Sequence, residues 1–261
     1  MNASWVLLDR MVEQKSPLLK KYIDRKLRVP APQGPFVADT FNRMSLFEKM
    51  DSSHFETFLP SSNKKDVLTF KTLLKNSEPS FLKSFLLNTA EQALYSNYAL
   101  LPYAYLEDFQ SSDILELSAA KLQRLILLLA MYDLKFTLKV IIDQKMLAKI
   151  FKFLPPECKQ FLDFLQTEKD RIEFKKIPLD TWDEKSETLL SLLYLRGLNR
   201  LAKAFPLEPE YIKNEIILRL PLKDKGHFKT LATPLDTSLI DVLRDQITRG
   251  IEFLNRASNS S

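Results

Sequence analysis

The chain has 261 residues, of which 45% are apolar and 27% charged, so it is long enough to bury a core of ordinary size. Its 38 basic and 33 acidic residues are interspersed and leave a net charge of +5, whereas nucleic-acid-binding domains usually concentrate positive charge on one face. Only four glycines occur where average usage gives ~18. No Walker or dinucleotide-binding loop is present, and an all-α protein is predicted.

The first 35 residues are predicted to form a helical arm and a linker. The segment 28–35 contains three prolines and a glycine, which is typical of a stiff extended linker. The arm carries the densest run of cations in the chain, and this run predicts contact with anionic lipid or with an acidic partner. The alternative is a solvated helix face. The candidate binding residues of the arm are Lys20, Lys21, Arg25 and Lys26.

Residues 36–177 are predicted to form a second helical domain. Its most apolar segment follows Ser118, which can cap a central helix running to Tyr132. A further helix is expected to start at Pro155-Pro156 and to carry Cys158 in its first turn. There the helix dipole can lower the pKa of the thiol, although a packed small residue is the commoner role of a free cysteine. A charged stretch ending at Pro178 predicts the domain boundary.

Residues 178–261 are predicted to form a third domain of four amphipathic helices, of which 178–257 is expected to fold by itself. Thr181 and Glu184 match a capping box, so a helix is predicted to start near Trp182. Prolines at 206, 209 and 221 delimit the next helix, and Thr233-Pro234 predicts the start of the last one.

A partner-binding surface is predicted on the polar side of the first of these helices, continuing into the loop and short helix after Pro221. Cations define it, and an acidic or mixed-charge protein is the expected partner. The candidate residues are Arg196, Arg200, Lys203, Lys223, Lys225 and Lys229.

Three segments close an apolar helix with Leu-Pro and resume it after a polar turn, as armadillo-like units do. They are Phe58-Leu59-Pro60, Phe153-Leu154-Pro155 and Arg219-Leu220-Pro221.

The region Leu147–Leu254 resembles the helical units of the flagellar rotor switch protein family, FliG. The shared features are the Leu-Pro-Pro-Glu helix start at 154–157, the segment 196–202 and the Pro-Leu-Asp-Thr turn at 234–237 before a long amphipathic helix. The Glu-His-Pro-Gln motif and the Gly-Gly hinge of that family are absent. The resemblance therefore implies stacked armadillo-like helices and, in place of a motor, a cytoplasmic adaptor of a type III secretion apparatus. Such an adaptor would link an inner-membrane ring to the cytoplasmic ATPase or switch complex.

Three classes of function compete, and an interaction scaffold is favoured. An enzyme needs convergent polar groups, but His54 and His227 are isolated in the sequence, and one cysteine with two histidines excludes a zinc site of ordinary ligand number. No cofactor is expected. A basic helical nucleic-acid-binding protein is the alternative, favoured by the pI of 9.1 and by the arm.

The expected location is the cytoplasm, with the possibility of peripheral association with the inner membrane. Asp9, Arg10 and Glu13 interrupt the first apolar stretch, which is unlike a secretory signal. The longest apolar run in the centre of the chain, 125–131, is far shorter than the ~20 residues that a bilayer requires.

Overall fold

The structure is a computed structural model that describes residues 49–57, 98, 112–166 and 182–258, together with residues 172, 174, 177 and 179. Contacts divide the chain into two units, 1–106 and 107–261. Every regular element in the described ranges is helical, which confirms the all-α class for that part of the chain. The predicted arm and its four cations lie outside the described residues, so those predictions stay predictions.

In the first unit, a short 3₁₀ helix spans Ser52–Thr57. The carboxylate of Asp51 starts it by accepting a hydrogen bond from the backbone N–H of Ser53 at 2.9 Å. The Nδ1 atom of His54 lies 2.6 Å from the hydroxyl oxygen of Tyr98, and both side chains are buried. This contact gives the buried imidazole a polar partner, as a core histidine requires.

The second unit contains eight α-helices in its described residues. They are α1 (Ser112–Leu115), α2 (Ala119–Leu138), α3 (Gln144–Phe153), α4 (Pro156–Leu165), α5 (Ser186–Lys203), α6 (Glu210–Arg219), α7 (Lys225–Leu231) and α8 (Thr237–Ser258), with a 3₁₀ turn at Leu222–Asp224 between α6 and α7.

Helix α2 is the centre of the second unit and contacts α4, α5, α6 and α8. The predicted cap is confirmed, because the Ser118 hydroxyl accepts the backbone N–H of Lys121 at 3.3 Å. Between residues 125 and 134 buried side chains lie on all sides of the helix, as expected of a helix enclosed by others. Each fully buried leucine there stabilises the fold by about 1.5–3 kcal/mol. The helix continues to Leu138, six residues beyond the predicted end at Tyr132.

Helices α5 and α2 approach each other closely at Gly197. A Cβ atom added at Gly197 would lie 1.7 Å from the carbonyl oxygen of Ile126, so the two backbones touch where only a glycine fits. On α8, a Cβ atom added at Gly250 would lie 2.5 Å from Cδ1 of Leu125, a side-chain atom. Two of the four glycines in the chain thus allow helices to approach α2.

The predicted start of α5 near Trp182 is wrong, because the helix begins at Ser186. Glu184 has a φ of 60°, and a right-handed helix cannot pass through a residue in this left-handed region. The indole Nε1 of Trp182 donates to the carbonyl oxygen of Lys185 at 2.9 Å, and the Asp183 carboxylate accepts the backbone N–H of Lys185 at 3.2 Å. Local side-chain bonds therefore hold a turn where the sequence pattern predicted a capped helix.

The predicted start of α8 at Thr233-Pro234 is also wrong. The helix begins at Thr237, and the carbonyl oxygen of Asp236 accepts the N–H groups of Leu239 at 2.9 Å and Ile240 at 3.1 Å. The Thr233 hydroxyl instead accepts a hydrogen bond from the Lys203 ammonium at 2.7 Å. The predicted helix from Pro209 to Pro221, in contrast, is present as α6.

The predicted boundary at residue 178 does not coincide with the observed division at residues 106 and 107. Helices α2 and α5 lie on opposite sides of residue 178 and pack against each other along much of their length. A chain cut at residue 178 would expose this contact to water. The packing therefore favours 107–261, rather than 178–257, as the unit that folds by itself.

Candidate interaction surfaces

The predicted partner-binding residue Arg200 does not lie on a surface. Its side chain is fully buried, and its guanidinium forms an ion pair with the Asp133 carboxylate, with Nη2 2.7 Å from Oδ1. Nη1 also donates to the amide oxygen of Gln246 at 2.6 Å, and Nη2 donates to the carbonyl oxygen of Ile172 at 3.2 Å. The prediction for Arg200 is corrected: this cation joins α5 to α2 and α8 within the core.

Two aromatic rings complete the surroundings of this guanidinium. Its central carbon lies 5.3 Å from the ring centre of Tyr132 and 5.0 Å from that of Phe174, within the range of cation–π contacts. A charged group can stay buried when hydrogen bonds and an opposite charge replace water, as they do here. The helical spacing of Arg196, Arg200 and Lys203 gave no sign of this, because Asp133 is distant in the sequence.

The remaining predicted cations lie on α5 and on the turn and helix that follow Pro221. Tyr194 donates its hydroxyl hydrogen to the Asp224 carboxylate at 3.0 Å, which fixes Lys223 and Lys225 beside that part of α5. Arg196 lies two residues after Tyr194, and at ~100° of rotation per residue it points to the other side of the helix. Lys203 shares that other side and bonds to Thr233, as described above.

Lys229 is paired with an acidic neighbour. Its ammonium lies 2.5 Å from one carboxylate oxygen of Glu210, and Lys213 lies 3.2 Å from the other. The hydrogen bond from Lys229 is the main cause that holds the pKa of Glu210 below its ordinary value, and burial opposes it. The positive charge of Lys229 is therefore partly neutralised by Glu210, which weakens it as a contact for an acidic partner.

One part of the predicted surface remains, and we name it the α5 face. It consists of Ser191, Leu192 and Leu195 on α5, with Lys223 on the 3₁₀ turn and Lys225 at the start of α7. Leu195 is 45% exposed, and it follows Tyr194, whose hydroxyl holds the turn in place. The α5 face thus combines an exposed apolar side chain with two cations on a fixed backbone.

A second surface was not predicted and lies at residues 139–153, the turn after α2 and helix α3. We name it the α3 surface. Ile142 is 95% exposed, Val140 is 53% exposed and Phe151 is 40% exposed. The lysines of α3 recur at steps of four and three residues on its exposed side, at Lys145, Lys149 and Lys152. Within α3 only Ile150 is buried.

Another buried cation, Arg219, binds the end of α1 and the turn that follows it. Its guanidinium donates to the carbonyl oxygens of Leu115 at 2.6 Å and Leu117 at 3.2 Å, and lies 2.9 Å from the Glu215 carboxylate. It therefore satisfies carbonyl groups at the end of α1 and in the turn before α2. In the sequence, Arg219 is recognisable only as part of a helix that ends in Leu-Pro.

Cys158 is a packed residue and not an activated thiol. The side chain is fully buried in the first turn of α4, and burial, followed by the charge of Glu157, raises the pKa of the thiol from 9.0 to about 12. We expect no reaction with a thiol reagent at pH 8 in the folded protein and one reactive thiol after denaturation.

The raised pKa of Cys158 also makes the stability of the fold depend on pH. Above pH 9 the folded state holds a proton that the unfolded state releases, so this group makes unfolding more favourable as the pH rises towards 12. Rapid labelling of the native protein at pH 8 would contradict the packed role.

Within the described ranges, no group of three or more His, Cys, Asp and Glu side chains is arranged to hold a metal ion. No helix in those ranges is long and apolar enough to cross a membrane. Comparison with known protein families, curated proteins and solved structures gives no match for this chain.

Proposed function

We propose that the protein is a non-enzymatic interaction scaffold that binds a protein partner through the α5 face. The observations that support this proposal are the exposed Leu195 and the adjacent Tyr194, whose hydrogen bond to Asp224 joins α5 to the segment that carries Lys223 and Lys225. Interfaces need an apolar contact that excludes water, and flanking charges that select the partner and speed association. An acidic or mixed-charge partner helix laid along Ser191 and Leu195 has the matching chemistry.

The finer proposal is an adaptor of a type III secretion apparatus with stacked armadillo-like helices. It rests on the likeness of Leu147–Leu254 to the rotor switch proteins, on the Leu-Pro-Pro-Glu start of α4 and on the Pro-Leu-Asp-Thr turn before α8. In such a role the chain would contact ring components on one side and the cytoplasmic ATPase or switch complex on the other.

The test places a photo-crosslinking amino acid at position 195 of the full-length chain in its native cytoplasm. We expect a discrete protein adduct from position 195 and none from position 255, an exposed site on α8. Lys223→Glu/Lys225→Glu should reduce the adduct, mainly by slowing association and increasingly so at low salt. The charge-matched Lys145→Glu/Lys152→Glu should leave it unchanged.

Two outcomes would contradict this proposal. No adduct from position 195, or one of equal yield from positions 195 and 255, would exclude the α5 face, whereas an adduct that persists after both reversals, with stability changed by no more than ~0.5 kcal/mol per site, would exclude a role for Lys223 and Lys225. An adduct with nucleic acid, lost steeply between low and moderate salt, would instead support the basic nucleic-acid-binding function. Ring or ATPase components in the protein adduct would support the secretion adaptor.

A further inference from the structure

Three of the six large apolar side chains that are exposed in the described residues lie on the α3 surface. Its turn carries Val140 and Ile142, the first half exposed and the second almost fully exposed. A side chain that is 95% exposed projects from the surface and does not line a groove. A projecting apolar side chain loses the most contact with water when it inserts into a deformable surface, and the headgroup region of a membrane is such a surface.

Cations surround these apolar side chains. Four lysines and one aspartate lie between residues 139 and 153, which leaves a local net charge of +3. The aspartate, Asp143, caps α3 by accepting the backbone N–H of Lys145 at 2.8 Å, so its charge serves the helix start. Lys149 forms an ion pair with the exposed Glu184, and Lys139 lies 5.8 Å from the ring centre of Phe136.

The spacing on α3 places charge and apolar area on the same side. Residues three and four apart are neighbours on a helix, so Lys145 lies next to Ala148, and Ala148 lies next to Phe151 and Lys152. Ala148, Phe151 and the lysines are exposed, whereas Ile150, on the opposite side of α3, is fully buried. The helix thus lies flat on the second unit with a mixed basic and apolar side turned outward.

We propose that the α3 surface docks on an anionic membrane, with Val140, Ile142 and Phe151 entering the headgroup region and Lys145 and Lys152 contacting acidic lipid headgroups. Each lysine near an anionic bilayer raises the affinity by about fivefold, and inserted apolar side chains add to this. An acidic helix of a partner protein would match the charge of the α3 surface. Such a helix, however, offers no groove in which the projecting Ile142 could be buried. This site is separate from the α5 face and does not depend on it.

The test measures co-sedimentation of the full-length chain with vesicles of phosphatidylcholine and phosphatidylglycerol, and with vesicles of phosphatidylcholine alone. We expect binding to the anionic vesicles only, weakening as salt is added. Lys145→Glu/Lys152→Glu should lower the partition by more than about 25-fold, because each reversal removes an attraction and adds a repulsion. Ile142→Ser/Phe151→Ser should lower it by about tenfold or more at unchanged net charge.

Two further variants make the result decisive. Lys223→Glu/Lys225→Glu has the same net charge as the α3 double reversal and should keep vesicle binding within about threefold of the parent. Lys20→Glu/Lys21→Glu tests the N-terminal arm as the lipid contact. Equal loss in the two charge-matched double reversals, or loss only in the arm variant, would overturn the proposal. Binding to neutral vesicles that is unchanged by Lys145→Glu/Lys152→Glu would overturn the proposal as well.

Failure here is distinguishable from failure of the proposed function. If the anionic vesicles do not sediment the protein but a photo-crosslinker at position 151 yields a protein adduct, the α3 surface is a protein interface and the membrane proposal falls. The α5 face is judged by the adduct from position 195 alone. The two charge reversals thus serve as each other's controls.

Discussion

Gly197→Ala is expected to destabilise the protein by about 4 kcal/mol or more, a large part of the 5–15 kcal/mol that holds a typical domain folded. The new Cβ atom would lie 1.7 Å from the carbonyl oxygen of Ile126 and 2.6 Å from its carbonyl carbon. Both are backbone atoms of the enclosed helix α2, so they cannot move aside as a side chain can. Helices α5 and α2 would have to separate, and the contacts beside Gly197 would open with them.

The chain offers two controls for this substitution. Gly226→Ala adds a Cβ atom with no other atom within 4 Å, and no described glycine has a positive φ, so alanine should stabilise α7 by up to about 1 kcal/mol. Gly250→Ala meets the movable Cδ1 atom of Leu125 and should fall between the two. Chemical denaturation of the three variants measures the order. A Gly197→Ala protein as stable as the parent would exclude the close contact of α5 with α2.

Arg200→Met is expected to cost about 3–5 kcal/mol, because it leaves the buried carboxylate of Asp133 without its cation. The amide oxygen of Gln246 and the carbonyl oxygen of Ile172 would lose their donor in the same step. Arg196→Met, one turn earlier on α5 and partly exposed, should change the free energy of unfolding by no more than about 1 kcal/mol.

A double-mutant cycle separates the ion pair from the packing. The variant Asp133→Leu/Arg200→Met removes both charges and should be more stable than Arg200→Met alone, since a buried pair replaced by apolar groups costs little. Denaturant titrations of the two single variants and the double variant give the coupling free energy. Strictly additive single effects would mean that Asp133 and Arg200 do not act as a pair.

Several helix ends were predictable from the sequence, whereas contacts between residues distant in the chain were not. Ser118 as the cap of α2 and Pro156 at the start of α4 depend on interactions within one turn, and both predictions were confirmed. The start of α5 was missed because Glu184 adopts a left-handed conformation that the Thr-x-x-Glu pattern does not reveal. Arg200 was placed on the surface because a helical repeat shows which residues share a side, but not that Asp133 lies opposite.

The surfaces show the same limit. Arg196 and Arg200 lie about one turn apart on α5, yet Arg196 is partly exposed and Arg200 is fully buried. The α3 surface was not predicted because the apolar residues of α3 have the spacing of a helix in a core. These residues are Met146, Leu147, Ile150 and Phe151. Whether such a helix is enclosed depends on how much of the unit covers it, and here only Ile150 is fully enclosed.

The pair of Arg200 with Asp133 also bears on how fast the fold opens. The partners are 67 residues apart in the chain, and Gln246 lies a further 46 residues on, so the cluster forms only after three separate helices have met. Contacts between such distant segments tend to form late in folding, after the cost of closing long loops. Substitutions in this cluster should then accelerate unfolding while leaving the refolding rate nearly unchanged. Arg200 would in that case set the lifetime of the folded protein rather than the speed at which it is reached.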